Sequence, residues 1–208
     1  MAEKPARQAA PATDPSAKFD ESYFQRFYFS KRTRAVAPLE YLARARLLGA
    51  YAALHDLKIK RILDLGAGAG YFLRALDAVF PGARCVGVEV SDYACSRYGW
   101  RKSSVTEFHD PRPYDLVVCH DVIQYLDNQE AARALQNISS LSRGMLYFMA
   151  LTREDWEQNC DQTRTDSAVY KRPAKWYRER LKQDFQRVGS GVYLARRAGV
   201  PLFALDSD

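Results

Sequence analysis

The stretch Ile62-Leu-Asp-Leu-Gly-Ala-Gly-Ala-Gly-Tyr71 decides how the rest of the chain is interpreted. It begins with an apolar run and leads into a segment with helical periodicity, and Gly66, Gly68 and Gly70 alternate between the two. Glycines at a strand-to-helix junction let the backbone turn tightly and let a ligand approach the peptide groups closely. A plain turn does not need three of them. The stretch therefore predicts a ligand-binding loop after a strand of an α/β sheet.

The glycine spacing separates this loop from two other nucleotide-binding loops. A dinucleotide fingerprint, G-x-G-x-x-G, needs glycine at position 71, where the chain has Tyr71. A P-loop needs Gly-Lys-Ser/Thr, which does not follow. A NAD-dependent oxidoreductase is therefore rejected.

Apolar runs and helical segments alternate on both sides of the loop. Strands are predicted at 61–65, 85–90, 115–119 and 145–150, and helices at 38–57, at 71–80, after Asp127 or Asn128, and at 174–185. This alternation indicates a mostly parallel sheet that is covered on both faces, a doubly wound α/β fold. Ser91 is a predicted N-cap, and Gly144 is placed to end the helix that begins near Asp127.

The end of the chain breaks this alternation. Two strand-like runs, 191–195 and 200–205, are separated only by Arg196-Arg-Ala-Gly199. A connection this short joins antiparallel neighbours, so an antiparallel C-terminal hairpin is predicted.

Glu89 ends the strand that follows the glycine loop. An acid at the carboxyl edge of a doubly wound sheet can accept hydrogen bonds from both hydroxyls of a ribose. Its neighbours Val86, Val88 and Val90 are apolar, and an unpaired acid among them would be costly. Ribose binding is therefore favoured over a surface carboxylate.

The pattern Asp64-x-Gly-x-Gly-x-Gly70 resembles motif I of the class I S-adenosylmethionine (SAM) dependent methyltransferases, and residues 114–126 look like the fourth motif of that family. The resemblance covers residues 58–150 by motif, and the hairpin extends it to about 205. It implies a Rossmann-like methyltransferase fold with seven strands, as in small single-domain members, with SAM as cofactor and S-adenosylhomocysteine (SAH) as product. The implied cofactor-binding residues are Asp64, Gly66, Ala67, Gly68, Gly70, Glu89, Val90, Ser104, Val105 and His120. Ser104 and Val105 depart from the family, which often has an acid there against the adenine amine.

Two side chains at the end of the fourth strand are candidates for the chemistry. The methyl group of SAM is already activated, so an enzyme mainly has to hold the acceptor in line with it. A general base helps where the acceptor is a hydroxyl or a protonated amine. His120 is the candidate base, and the alternative, that it makes only backbone contacts to the methionine part of SAM, stays open. Asp121 is predicted to orient the substrate or the cofactor ammonium, or else to cap a short helical turn.

Two segments outside the common core are expected to select the acceptor. Residues 19–57 are predicted as a lid with helices, and the aromatic residues of 19–29 either close the pocket or simply pack onto the domain. Residues 151–173 are predicted as a substrate-side insertion with a polar loop, in which Thr152 and Asp155 form a capping box. The candidate substrate-binding residues are Tyr23, Tyr28, Asp161, Arg164, Asp166 and Tyr170.

The composition indicates one globular domain. The chain has 208 residues, of which 47% are hydrophobic, enough for one substantial core. Residues 1–18 are rich in Ala and Pro and are predicted as a disordered leader, with the single domain at 19–208. The sequence shows no apolar run of membrane-spanning length and no signal peptide. Four scattered cysteines indicate a reducing cytoplasm, and three histidines without ligand spacing predict no metal site.

Three functional hypotheses follow. Methylation of a small molecule is favoured, because no added recognition domain is apparent. Methylation of RNA or protein would need a continuous basic surface leading to the pocket; the net charge of +6 keeps an anionic partner open, but the sequence shows no sharp basic cluster. Binding of SAM or SAH without turnover is the third hypothesis, because a fold does not establish a reaction. The sequence predicts no oligomeric state.

Overall fold

The computed structural model describes residues 15–202. Residues 1–14, most of the predicted leader, and residues 203–208, the end of the predicted last strand, lie outside the described residues. Pro15–Lys18, also predicted as leader, forms a helical turn (α1). Lys18 Nζ donates a hydrogen bond to the carbonyl of Ala168 at 2.8 Å. The folded part therefore begins before the predicted boundary at Phe19.

Helices and strands alternate through the described chain. The strands are β1 Arg61–Leu65, β2 Arg84–Glu89, β3 Arg101–Lys102, β4 Tyr114–His120, β5 Ser142–Met149, β6 Phe185–Gly189 and β7 Val192–Ala195. The further α-helices are α2 Glu21–Phe24, α3 Pro38–Leu54, α4 Tyr71–Val79, α5 Asp92–Tyr98, α6 Asn128–Leu141, α7 Arg153–Gln158 and α8 Ala174–Leu181. A π-helical segment, Gln25–Phe29, follows α2.

The seven strands form one sheet in the order β3-β2-β1-β4-β5-β7-β6. The first five are parallel, β7 runs antiparallel to β5, and β6 runs antiparallel to β7. The predicted fold class, a doubly wound and mostly parallel sheet with an antiparallel C-terminal hairpin, is confirmed. The direction of strand succession reverses between β1 and β4, and the crevice beyond the carboxyl ends of these strands is where ligands bind in such sheets.

The C-terminal hairpin is formed by different residues from those predicted. Its strands are β6 and β7, so the run at 191–195 is the second strand and not the first. Residues 200–202, the described part of the predicted second strand, are not a strand. The turn lies at Gly189-Ser190-Gly191, where all three residues have positive φ angles of 132°, 49° and 81°. The sequence prediction missed β6 because its polar side chains at a half-exposed edge lack an apolar run.

Gly144 also has a different role from the predicted one. The preceding helix α6 already ends at Leu141, and Gly144 lies inside β5. A Cβ at Gly144 would lie 2.4 Å from the carbonyl oxygen of Asp115 on the neighbouring strand, so the glycine permits β4 and β5 to pair closely. The predicted N-caps are confirmed, since Ser91 and Asp127 accept hydrogen bonds from the first turns of α5 and α6.

Each face of the sheet carries a hydrophobic core. Helices α3 and α4 pack on one face, and α6 and α8 pack on the other. A third, smaller cluster joins Phe24 of the N-terminal segment to Ala69 and Ala94 at the carboxyl edge of the sheet. Among residues 15–202 no helix is long and apolar enough to cross a membrane. The N-terminal segment is thus held against the edge where the candidate site lies.

Candidate functional site

The glycine loop connects β1 to α4 in the conformation that its composition predicts. Gly66, Gly68 and Gly70 all have positive φ angles, of 80°, 51° and 72°, which residues with a side chain rarely adopt. The backbone N–H groups of Gly66 and Ala67 donate to the carbonyl of Val88 at 2.8 and 3.0 Å. The loop is therefore tied to the end of β2, beside the crevice.

Glu89 is buried at the end of β2 and faces the glycine loop. Its Oε2 accepts a hydrogen bond from Gly68 N at 2.9 Å, and its Oε1 accepts from Val90 N at 2.7 Å and Ser91 N at 3.1 Å. Burial raises the pKa of Glu89, and these three N–H donors oppose that shift. The carboxylate is thus fixed in orientation at the edge where the sequence predicts ribose binding.

Asp64 provides a second buried carboxyl group in the crevice. Its side chain lies at the carboxyl end of β1, is 3% exposed, and lines a small cavity with Gly66, Ala67 and His120. Burial, with a smaller contribution from Glu89, raises the pKa of Asp64 to about 7. The side chain forms no hydrogen bond with any residue between 15 and 202. A buried, unpaired carboxyl group of this kind favours a cationic ligand.

His120 and Asp121 lie together at the end of β4, as predicted. Burial lowers the pKa of His120, so its imidazole is neutral at neutral pH, and its Nε2 lies 3.5 Å from Asp121 Oδ2. Asp121 adopts a φ of 59°, an unusual conformation for an aspartate and one often found at functional sites. Its carboxylate accepts from the Gln124 amide at 3.3 Å and does not cap the short 3₁₀ turn Ile123–Tyr125. The alternative of an N-cap is therefore wrong.

Tyr28 lies on the glycine loop and not on the predicted substrate side. A Cβ at Gly68 would lie only 2.7 Å from the Tyr28 hydroxyl. The cavity that Tyr28 shares with Tyr41, Asp64 and His120 has a volume of about 20 Å³. Sites for ligands of nucleoside size have volumes of roughly 300 Å³ or more. In this conformation the N-terminal segment therefore fills the space above the loop.

Trp100 packs against the glycine loop and was missed by the sequence analysis. Its indole Nε1 donates to the carbonyl of Gly68 at 2.9 Å. A Cβ at Gly70 or at Gly87 would lie 2.6 or 2.5 Å from its ring, so both glycines leave room for the indole. A glycine in the middle of the apolar strand 85–90 was the available signal, because it indicates close approach of another group.

The predicted adenine-side residues lie in the loop after β3. The Ser104 hydroxyl lies 2.7 Å from that of Thr106, and Val105 is buried. Asn137 of α6 holds this loop in place, since its Nδ2 donates to the carbonyls of Val105 and Phe108 at 2.8 and 2.9 Å. The loop conformation thus depends on one buried amide.

We expect Asn137→Ala to reduce the free energy of unfolding by about 1–3 kcal/mol, because two buried carbonyl groups lose their donor. Urea unfolding followed by circular dichroism measures the change. The matched control is Gln136→Ala on the exposed face of the same helix, with an expected change below about 0.5 kcal/mol. Equal stability of the two variants would contradict this role of Asn137.

Of the predicted substrate-side residues, Tyr23 and Asp166 line a common cleft with a volume of about 310 Å³. Asp166 pairs with Lys18 at 3.0 Å. Tyr23 points its hydroxyl to that of Tyr125 at 2.8 Å. The structure therefore brings the N-terminal segment and the predicted insertion together at one place.

The other three residues predicted on this side organise the insertion. Asp161 accepts hydrogen bonds from the backbone and hydroxyl of Thr163 at 2.9 and 2.6 Å. Arg164 donates to the carbonyls of Lys31 and Arg32. Tyr170 N donates to the carbonyl of Gln124 at 2.7 Å. The predicted capping box is confirmed at its first bond, since the Thr152 hydroxyl accepts from Asp155 N.

Arg172 is a further residue that the sequence analysis missed. It is 4% exposed, and its guanidinium donates to the carbonyls of Ile123 and Leu126 and to Asn128 Oδ1. It therefore fastens the insertion to the turn that follows His120. A single arginine in a polar stretch carries no sequence signal for such burial.

Comparisons with known proteins agree with this geometry. Residues 22–193 match the model of a family described as a methyltransferase domain. A malonyl-(acyl-carrier protein) O-methyltransferase from Legionella pneumophila is 29% identical over 122 residues, which cover 52% of this chain and 43% of that protein. The chain thus spans less than half the length of this relative.

Solved structures of methyltransferases share the fold. Magnesium protoporphyrin IX methyltransferase from Synechocystis, with SAH bound, has a TM-score of 0.59 at 17% identity, and the match covers 86% of this chain and 97% of that one. A SAM-dependent methyltransferase from Clostridium acetobutylicum has the same TM-score at 13% identity, with coverage of 86% and 97%. At these identities the likeness concerns the fold.

Proposed function

Since the chain belongs to the methyltransferase domain family, we propose that it transfers the methyl group of SAM to a small-molecule acceptor. The observation that carries the proposal is the contact between the glycine loop and a buried acid. Gly68 N donates a hydrogen bond to Glu89 Oε2 at 2.9 Å, at the switch point of the sheet. The similar Synechocystis enzyme is solved with SAH bound. The relative from Legionella is named as an O-methyltransferase of a malonyl group, which contains a carboxylate.

The residues of the crevice fit the parts of SAM in turn. SAM supplies an activated methyl group on a sulfonium and also carries an ammonium. The buried and unpaired Asp64 suits this positive charge, and the backbone of 66–70 lies beside it. Glu89 Oε2 keeps lone-pair capacity for a ribose hydroxyl, and we propose that Val90, Ser104 and Val105 contact the adenine. The Tyr28 ring must leave the loop to admit a ligand of this size.

His120 and Asp121 are proposed to act on the acceptor. A neutral imidazole is the form that accepts a proton, and burial keeps His120 in that form. Asp121 stabilises the imidazolium that results, because its Oδ2 lies 3.5 Å from Nε2. Both side chains lie at the same sheet edge as Asp64, so the proton acceptor and the proposed cofactor site are adjacent.

Turnover with tritiated SAM tests the function directly. We expect labelled product with at least one acceptor of a panel of hydroxyl, amine and carboxylic acid compounds, and none with Glu89→Ala. A folded protein that binds SAM but labels no acceptor would favour the second candidate, binding without turnover.

The affinity for SAM is expected to depend on the protonation of Asp64. The pKa of this carboxyl is about 7 in the free protein, and a bound cation favours its ionised form. Below pH 7 the carboxyl must lose a proton on binding, so SAM is expected to bind roughly eightfold more weakly at pH 6.0 than at pH 7.5. Titration calorimetry at the two pH values measures the ratio.

Asp64→Asn is the control for this pH dependence. The variant removes the titrating carboxyl and keeps its shape, so its lower affinity is expected to change little between pH 6.0 and pH 7.5. A ratio in the variant as large as in the wild-type protein would assign the dependence to another group.

A further inference from the structure

A cleft lies between the N-terminal segment and the insertion, outside the crevice of the glycine loop. Its volume of about 310 Å³ is at the lower end of the range for small-molecule sites, roughly 300–1,000 Å³. The residues that line it are Lys18, Ser22, Tyr23, Arg26, Phe27, Gln162, Thr165, Asp166 and Ser167.

The inner wall of the cleft is the aromatic layer that covers the glycine loop. Tyr23 lines the cleft, and its ring centroid lies 6.3 Å from that of Tyr28. Tyr28 in turn lies on Gly68. A molecule in the cleft is therefore separated from the proposed cofactor site by the same side chains that must move when that site fills.

Of the two cations that line the cleft, Lys18 forms an ion pair with a described residue and Arg26 does not. Lys18 pairs with Asp166 at 3.0 Å and lies over the Tyr125 ring at 4.4 Å, so its charge is already used. Arg26 lies over the Phe27 ring at 4.9 Å, and no carboxylate between residues 15 and 202 is within ion-pair distance of it. Arg26 is exposed and lines the cleft, so its guanidinium is available to a ligand there.

Further positive charge follows Arg26 along the chain and on the neighbouring insertion, in a set that we call the basic rim. The basic rim consists of Arg26, Lys31, Arg32, Arg34 and Arg164. Arg164 Nη2 donates to the carbonyl of Lys31 at 2.8 Å and its Nε donates to that of Arg32 at 3.1 Å, so the chain around residue 31 lies against the insertion. No member forms an ion pair within the described part of the chain.

The fold thus creates a basic cluster that the sequence analysis did not expect. Residues 26–34 contribute four cations, and Arg164 joins them from more than 130 positions away. A concentration of positive charge in this region raises the local concentration of anions.

We propose that the acceptor enters this cleft as an anion, and that Arg26 binds its carboxylate or phosphate group. This inference rests on the proposed function, because it names the chemical class of the methyl acceptor. A guanidinium binds either group with two parallel hydrogen bonds, and the basic rim attracts the anion from solution. The Tyr23 and Phe27 rings provide apolar surface for the rest of the molecule.

Calorimetric titration of the full chain at low ionic strength tests the proposal with three probes. Malonate represents a carboxylate, inorganic pyrophosphate represents a phosphate, and dimethyl malonate is the neutral counterpart. We expect one of the two anions to bind and the diester not to bind, and which anion binds distinguishes the two groups. Arg26→Gln is expected to weaken that binding by about tenfold or more, because a charge-assisted hydrogen-bonded contact is lost.

Arg133→Gln is the matched control, since it removes one positive charge from the exposed face of α6. Its affinity for the anion is expected to equal that of the wild-type protein. Equal weakening in both variants, binding of the diester as tightly as malonate, or no binding of either anion would overturn the proposal. Titration of the same preparations with SAM distinguishes a failure of this inference from a failure of the proposed function. A protein that binds SAM but neither anion loses only this inference, and one that binds an anion but no SAM loses the proposed function.

Discussion

Glu89→Ala is expected to weaken the binding of both SAM and SAH by about a hundredfold or more. Hydrogen bonds to a charged group contribute about 1.5–3 kcal/mol each, and the proposed ribose contact uses the lone-pair capacity that remains at Glu89 Oε2. The substitution also removes the bond that holds Gly68 N, so the glycine loop loses a fixed neighbour. Because SAM and SAH share the ribose, calorimetry is expected to show the same loss for both ligands.

Two controls separate the loss of the ligand contact from a loss of structure. Glu107→Ala removes an exposed acid from the loop after β3, and we expect it to bind SAM as the wild-type protein does. Glu89→Gln keeps the shape of the side chain but not its charge, and its affinity is expected to lie between those of the wild-type protein and Glu89→Ala. A folded Glu89→Ala variant with an affinity within about threefold of the wild-type value would contradict ribose binding, since a shift that small is below one hydrogen bond.

The glycine loop and Glu89 were predictable because local backbone chemistry determines them. Positive φ angles at Gly66, Gly68 and Gly70 follow from residues that lack a side chain, and the order of strands and helices follows from the alternation of apolar runs. Parallel strands end at one edge of a sheet, so the acid that ends β2 had to lie near the loop that ends β1. No knowledge of distant contacts was needed for this part of the site.

The residues that were missed depend on contacts between distant parts of the chain. Trp100 reaches the carbonyl of Gly68, although the sequence places it in ordinary aromatic surroundings, and Tyr28, which was predicted to bind the substrate, lies on the same glycine. The C-terminal hairpin was displaced by one strand because β6 is polar at an exposed edge, where burial imposes no alternating pattern. Periodicity detects only strands that bury a face.

The predicted substrate-side residues show that the sequence likewise does not reveal the partners of polar and charged side chains. The polar loop at 161–166 was predicted on the substrate side, but Asp161 forms its hydrogen bonds within this loop and Arg164 forms its own with the N-terminal segment. The sequence shows which residues can form hydrogen bonds, and only the fold shows which of those bonds are already formed. Arg26, by contrast, has no distinguishing sequence feature and lines the cleft.

Arg172→Ala is expected to reduce the free energy of unfolding by about 3 kcal/mol or more. Two effects oppose each other at this position. Burial of a charge is costly, and among the described residues no carboxylate pairs with Arg172, so its removal relieves a desolvation cost. Its removal also leaves the carbonyls of Ile123 and Leu126 without their donor, at about 1–3 kcal/mol each, whereas the exposed side chain of Asn128 can bond to water instead.

The second effect is larger, because two carbonyl groups lose their donor and alanine also leaves a cavity. Arg172→Lys is expected to recover only part of the stability, since an ammonium group lacks the planar fork that reaches all three acceptors. Urea unfolding measures both variants against Arg178→Ala, an exposed arginine of α8 with an expected change below about 0.5 kcal/mol. Stability of Arg172→Ala equal to that of Arg178→Ala would mean that the desolvation cost balances the three hydrogen bonds, and that the insertion is held to the turn after His120 by other contacts.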